Sequence, residues 1–143
     1  MTDTLSRAER SERMARVKGK DSKPELMVRS LTHRLGYRFR LHGSYLPGKP
    51  DLVFASLGKV IFVHGCFWHR HSQCHLARLP KSRPAFWLPK LENNRLRDRA
   101  NQRSLKRLGW RFLIIWECEL SNNDRTRSRI SKFLGPRRKR VKQ

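Results

Sequence analysis

The sequence predicts an α/β fold, a mixed sheet with helices packed on it. Three observations lead there. Hydrophobic spacing switches between helical and strand periods in the order helix, strand, strand, strand, loop, helix, strand. A chain of 143 residues, 37% hydrophobic and 9% aromatic, can close one core of ordinary size. The longest apolar runs, residues 60–63 and 112–116, fall far short of the ~20 residues of a membrane span, so a spanning protein is excluded.

Each element has its own signal. Residues 5–20 are a basic, lightly amphipathic arm in which Arg7, Arg10, Arg13, Arg16 and Lys18 surround Leu5, Met14 and Val17; a helix there breaks at Gly19. Ser22 and Glu25 have capping-box spacing, and Pro24 suits a first turn. Met27, Leu31 and Leu35 follow at helical spacing up to Gly36, which predicts a helix over 23–35. Residues 37–41 alternate as a short strand. Residues 47–50 are a turn, and 51–55 and 59–64 form a hairpin around Ser56-Leu57-Gly58. Residues 65–89, punctuated by Gly65, Pro80, Pro84 and Pro89, read as irregular. Residues 90–108 are a charged helix ending before Gly109, and 110–117 a buried strand. Beyond Ser121 the core signal fades: residues 121–143 carry nine Lys or Arg and one Asp, with room for a short helix near Ile130 and Phe133. The organisation is thus an arm over 1–20, a core over 21–120 and a basic tail over 121–143.

Charge narrows the partners. With 34 basic and 11 acidic residues the net charge is +23. Such a surface seeks a polyanion, nucleic acid before any acidic membrane. Three cysteines are an odd number, and residues 1–20 lack an apolar signal region. A disulfide framework is therefore not expected, and a reducing cytoplasm is.

The cysteines have a better use. Cys66, His71 and Cys74 are separated by four and two residues, and Cys118 ends the last strand. Thiolates and an imidazole converging from a tight loop suit tetrahedral zinc, and four protein ligands make such a site structural. His69, His71 and His75 all compete for the imidazole position, and buried reduced cysteines are the plain alternative. A second cluster starts at Asp51, a carboxylate at the mouth of a strand. A hairpin brings it to the His64 end of the next strand, close to His69. A carboxylate there, helped by a strand carbonyl, suits a hard cation such as Mg²⁺, and a neutral imidazole can take a proton from water. Together they suit attack on a phosphodiester. The plain alternatives are a turn residue for Asp51, a satisfied strand-end histidine for His64 and the capping box for Glu25.

Phe67, Trp68, Phe86 and Trp87 lie on loops amid basic charge, where aromatics can stack on or wedge between bases. Packing beneath the loops is the alternative, favoured for Phe86; Trp110 and Trp116 fit a strand core. Met14 could wedge from the arm or pack locally.

Taken together, Leu46-Pro47-Gly48-Lys49-Pro50-Asp51, the run from Val60 through His64-Gly65-Cys66-Phe67-Trp68-His69, Phe86-Trp87-Leu88, and Leu108-Gly109-Trp110-Arg111 continuing to Trp116-Glu117-Cys118 resemble the very short patch repair endonucleases, bacterial mismatch-nicking enzymes. The resemblance covers roughly residues 5–120. It implies a restriction-endonuclease-like fold and a nick 5′ to the thymine of a T·G mismatch left by deamination of 5-methylcytosine. It implies Mg²⁺ on Asp51 and the Val63 carbonyl, His69 as general base, and His64 and Glu25 in support. It further implies structural zinc on Cys66, His71, Cys74 and Cys118. Phe67, Trp68 and Trp87 would then wedge at the mismatch, with Met14 reaching the minor groove. The implied partners are double-stranded DNA carrying the mismatch, mismatch-repair proteins and a DNA polymerase, with the enzyme a monomer in the cytoplasm, at the nucleoid. Val63 stands where the family carries a threonine, a change that a backbone ligand survives. Two other classes stay open: a non-catalytic zinc-stabilised DNA-binding module, and a restriction-like nuclease cutting both strands as a dimer.

Overall fold

In the computed structural model, which describes residues 22–78 and 83–136, four strands form one mixed sheet in the order β1-β2-β3-β4. Helix α1 spans Lys23–Arg34, as its spacing predicts. Ser22 Oγ caps it by accepting from the Glu25 N–H at 3.4 Å. Gly36 ends it with φ +92°, and the N–H groups of Gly36 and Tyr37 turn back onto the carbonyls of His33 and Thr32, the closing pattern that favours glycine.

Strand β1 is only Arg40–Leu41, shorter than the alternation over 37–41 predicts. Its partner β2, Leu52–Phe54, runs antiparallel to β3, Lys59–His64, with Leu52 opposite Ile61. A 3-10 turn at Ala55–Leu57 and a left-handed Gly58 close this hairpin. Strand β4, Arg111–Trp116, pairs with β3 in parallel, and His64 stands opposite Trp116. A parallel pair needs a crossover. Helix α2, Pro84–Arg107, supplies it, starting within the segment read as irregular and carrying Pro89 inside.

Side chains alternate across the sheet, and each face has its own core. One face places Leu52, Phe54, Ile61 and Ile115 against Val28 and Leu31 of α1 and against Ile130 and Leu134. The other packs Val53, Val60 and Phe62 on Leu105 of α2. Ile130 and Leu134 belong to α3, Asn123–Leu134. The core thus continues past the expected boundary at residue 120. Thr126, Ile130 and Leu134, one helical turn apart, form the buried stripe. The arm over 1–20, with Met14, and the end of the tail over 137–143 lie outside the described residues. Among the described residues, no helix is long and apolar enough to cross a membrane.

Candidate active site and metal centre

The loop before β2 delivers Asp51 to the far end of β3. Gly48 makes this possible: its φ is +79°, and a Cβ there would stand 3.1 Å from the Phe62 ring. The Asp51 N–H donates to the Ile61 carbonyl, and Asp51 Oδ2 accepts from the Val63 N–H at 2.6 Å. The carboxyl group is therefore locked against the backbone of Val63, the residue whose carbonyl the family resemblance implies as a second ligand.

Glu25 on α1 faces it from the other side. Burial, and then the hydrogen bond between the two carboxyl groups, raise the Asp51 pKa to about 8. Arg29 Nη2 lies 2.6 Å from Glu25 Oε2 and His42 Nε2 lies 3.2 Å from Oε1. A buried and a half-buried carboxyl group that must share a proton form a site that favours a hard divalent cation in the proton's place. On this test the residues fit Mg²⁺.

One residue on from Val63, His64 points to the opposite face. It is buried, its Nδ1 has no hydrogen-bond partner, and burial, reinforced by the charge of His69, lowers its pKa to about 3. His64 is thus a neutral imidazole. Its ring stacks on His69 with centroids 3.8 Å apart and planes 7° from parallel. His64, His69 and Asp98 are close enough to be taken for a metal cluster. The stack argues otherwise, because the nitrogen lone pairs lie in two nearly parallel planes and do not converge on one ion. The arrangement instead resembles an oriented base. His69 Nδ1 meets Asp98 Oδ2 at 2.6 Å, which leaves Nε2 available to accept a proton. Sequence reasoning missed Asp98. Its one signal was to be the sole acid among the basic residues of 95–107.

A cavity of about 770 Å³ opens beside His64 and His69, lined also by Arg70, Arg78, Arg95 and Arg99. Its walls are cationic, as a phosphodiester requires.

On one wall of this cavity, where His71 and Cys74 line it, the ligand atoms of Cys66, His71, Cys74 and Cys118 all lie within 4.8 Å of one another. His71 Nδ1 is 3.6 Å from Cys66 Sγ and 3.4 Å from Cys118 Sγ. Tetrahedral zinc with ordinary bond lengths would set such a sulfur and nitrogen about 3.6 Å apart, so the donor set fits. Burial pushes the Cys66 thiol up to about 12, a cost that a bound cation offsets. The three candidate histidines all line the cavity but pair differently: His71 joins the cysteines, His69 pairs with Asp98, and His75 belongs to neither group. Trp116, expected to be core, stacks on His71 at 4.1 Å and meets the His64 ring edge-on at 5.2 Å.

The loop aromatics gather with the start of α2. Trp87 lies 5.5 Å from Phe67, 5.9 Å from Trp68 and 5.1 Å from Phe86, ring centre to ring centre. Lys90 Nζ stands 5.8 Å from the Trp68 ring and 5.9 Å from that of Trp87. Phe86 is 46% exposed, not packed beneath the loop, whereas Trp68 is buried within the cluster.

Comparison with known proteins points the same way. The family model for the DNA mismatch endonuclease Vsr matches residues 2–76. A type II nicking enzyme of Xanthomonas oryzae pv. oryzae is 49% identical over 136 residues, covering 95% of this chain and 99% of that protein. Another, from Neisseria meningitidis, is 38% identical over 134 residues, 94% and 95% of the two chains. The DNA mismatch endonuclease Vsr of Escherichia coli is 42% identical over 125 residues, 87% and 80% of the two chains.

Proposed function

Because this chain belongs to the Vsr family of DNA mismatch endonucleases, we propose that it nicks one strand of double-stranded DNA 5′ to the thymine of a T·G mismatch, the product of 5-methylcytosine deamination. The observation that carries this reading is that one end of β3 carries both groups, the Asp51–Glu25 carboxyl pair at Val63 and the His64–His69–Asp98 group at His64. A DNA-binding module has no use for the carboxyl pair, since setting a half-buried carboxyl group against a buried one destabilises the fold.

Asp51 and the Val63 carbonyl hold Mg²⁺ in this proposal, with Glu25 beside them. The cation, when bound, supplies charge stabilisation at the phosphodiester. His69 accepts the proton of the attacking water at Nε2, and Asp98 holds the imidazole in the tautomer that can do so. His64, neutral and buried, supports the His69 ring by stacking. Phe67, Trp68 and Trp87 form the wedge at the mismatch, with Met14 reaching the minor groove. Zinc on Cys66, His71, Cys74 and Cys118 stiffens a loop that has little apolar core of its own. The mixed sheet with helices on both faces accords with a restriction-endonuclease-like fold, here acting as a monomer. A nick would then hand the strand to mismatch-repair proteins and a DNA polymerase.

A strand-resolved nicking assay tests the proposal. Labelled duplexes carry T·G in a CTAGG context or the matched C·G pair, with Mg²⁺ or EDTA. The expected result is one Mg²⁺-dependent nick 5′ to the mismatched T and an intact control. Equal cutting of both duplexes, or of both strands, would overturn the mismatch specificity in favour of a restriction-like nuclease.

A further inference from the structure

Building on the reading of Asp51 and Glu25 as the cation site, we propose that Arg29 and His42 are positioning residues that grip both oxygens of Glu25 and hold it in register with Asp51.

The geometry is specific. Arg29 lies one helical turn beyond Glu25 on α1, and its Nη2 reaches Oε2 at 2.6 Å. His42 comes from the loop after β1 and takes the other oxygen, Oε1, at 3.2 Å. Arg29 Nη2 also lies 3.2 Å from His42 Nε2, and since that nitrogen's N–H serves Glu25, the approach is one of two donors drawn together by the carboxylate they share. His42 also holds Asp51, because its backbone N–H donates to the Asp51 carbonyl at 3.0 Å. One residue thus binds both members of the carboxyl pair, by its ring on one side and its backbone on the other. It does so with φ +51°, a left-handed conformation that a non-glycine residue adopts at a cost of roughly 1 kcal/mol or more. Such strain persists where the surrounding contacts fix it. Burial completes the case: the Glu25 side chain is 6% exposed, that of Arg29 15% and that of His42 24%.

Positioning and simple charge compensation predict opposite signs. A guanidinium beside a cation site repels the cation. If Arg29 contributed only its charge, removing it would tighten divalent binding. If it holds Glu25 in place, removing it weakens binding, because a misplaced carboxylate no longer serves the cation with Asp51. His42 carries the same logic through hydrogen bonding.

The test is Mn²⁺ binding to the zinc-loaded, DNA-free protein, followed by titration calorimetry, for wild type, Asp51→Ala, Arg29→Met, His42→Ala and His42→Gln. Arg29→Met and His42→Ala are expected to weaken Mn²⁺ about tenfold, the scale on which groups that orient metal ligands act. His42→Gln, which keeps a side-chain N–H donor, should restore affinity to within about threefold on the same scale. The Mg²⁺ concentration for half-maximal nicking should rise by the same factor. Arg29→Met binding as tightly as wild type, or more tightly, overturns the proposal. Should Arg29→Met not fold, the loop variant His42→Ala decides alone, and unchanged Mn²⁺ affinity in it overturns the proposal. Asp51→Ala separates the two levels. Wild-type Mn²⁺ binding in that variant overturns the cation-site reading, whereas lost binding there with unaltered His42→Ala and Arg29→Met overturns only the clamp.

Discussion

Asp98 Oδ2 lies 2.6 Å from His69 Nδ1, joining residues 29 apart in sequence. The contact fixes which ring nitrogen of His69 carries its proton. Asp98→Asn keeps the shape and loses the charge that holds this tautomer. Nicking is expected to fall by roughly 100-fold, the lower part of what a general base contributes, with mismatch affinity unchanged. Single-turnover nicking beside gel retardation checks this. His69→Ala should abolish nicking and still bind.

Metal content tests the thiolate cluster. Purified protein should carry one zinc per chain. Cys118→Ser removes a ligand whose Sγ is 3.4 Å from His71 Nδ1, so zinc content should drop and the melting temperature with it, since structural zinc can supply on the order of 10 kcal/mol. Full zinc retention in that variant would take Cys118 out of the ligand set.

Stability should depend on pH in a defined way. Asp51 sits at about 8 in the fold against an ordinary 3.8, so between those values the folded state holds more protons than the unfolded, and its stability contribution is lost as pH rises. His64 sits at about 3 against 6.5, and its contribution grows as pH rises over that range. The two oppose each other up to about pH 6.5. Of the two only Asp51 acts above it, and the zinc-loaded, Mg²⁺-free protein should lose stability towards pH 8. Asp51→Asn should flatten that decline, and Mg²⁺ should stabilise the wild type more at pH 8 than at pH 6.5. Thermal melts with and without Mg²⁺ decide.

The aromatic cluster predicts a binding defect without a chemical one. Trp87 touches Phe67, Trp68 and Phe86. Trp87→Ala should weaken mismatch binding by about 1–3 kcal/mol, the worth of one stacking contact, and weaken matched DNA less. Equal losses on both duplexes would assign the cluster to packing.

The last helix separates fold from tail. Ile130 is fully buried against the sheet, so Ile130→Ala should cost about 2–5 kcal/mol. Deleting 124–143 would remove this helix and unfold the protein. Deleting only 137–143, which contains five Lys or Arg, should weaken DNA binding and flatten its salt dependence.

The first helix, the hairpin and the last strand were legible because cap, turn and apolar period agree at Ser22, Gly58 and residues 112–116. Helix α2 starts earlier than expected because Pro84 fits its first turn and the helix continues through Pro89. Helix α3 was faint because its buried stripe includes Thr126, which satisfies its hydroxyl on the carbonyls of Glu119 and Asn122 and so enters the core without being apolar. Three of the four thiolate-cluster residues are close in sequence, which made the cluster readable. Arg29 stands at i+4 from Glu25 on the predicted helix and was readable from that spacing; His42 and Asp98 were not, because only the packing of the β1–β2 loop and α2 around the sheet brings them to Glu25 and His69.

Trp116 lies flat against His71 and edge-on to His64, which in turn stacks on His69. Four rings from two chemistries therefore form one pile. If zinc holds the cysteine cluster as proposed, removing it should free His71 and loosen the indole that packs between His71 and His64. Metal loss at the cysteines is then expected to silence cutting through the ring pile and not to leave a nuclease without specificity.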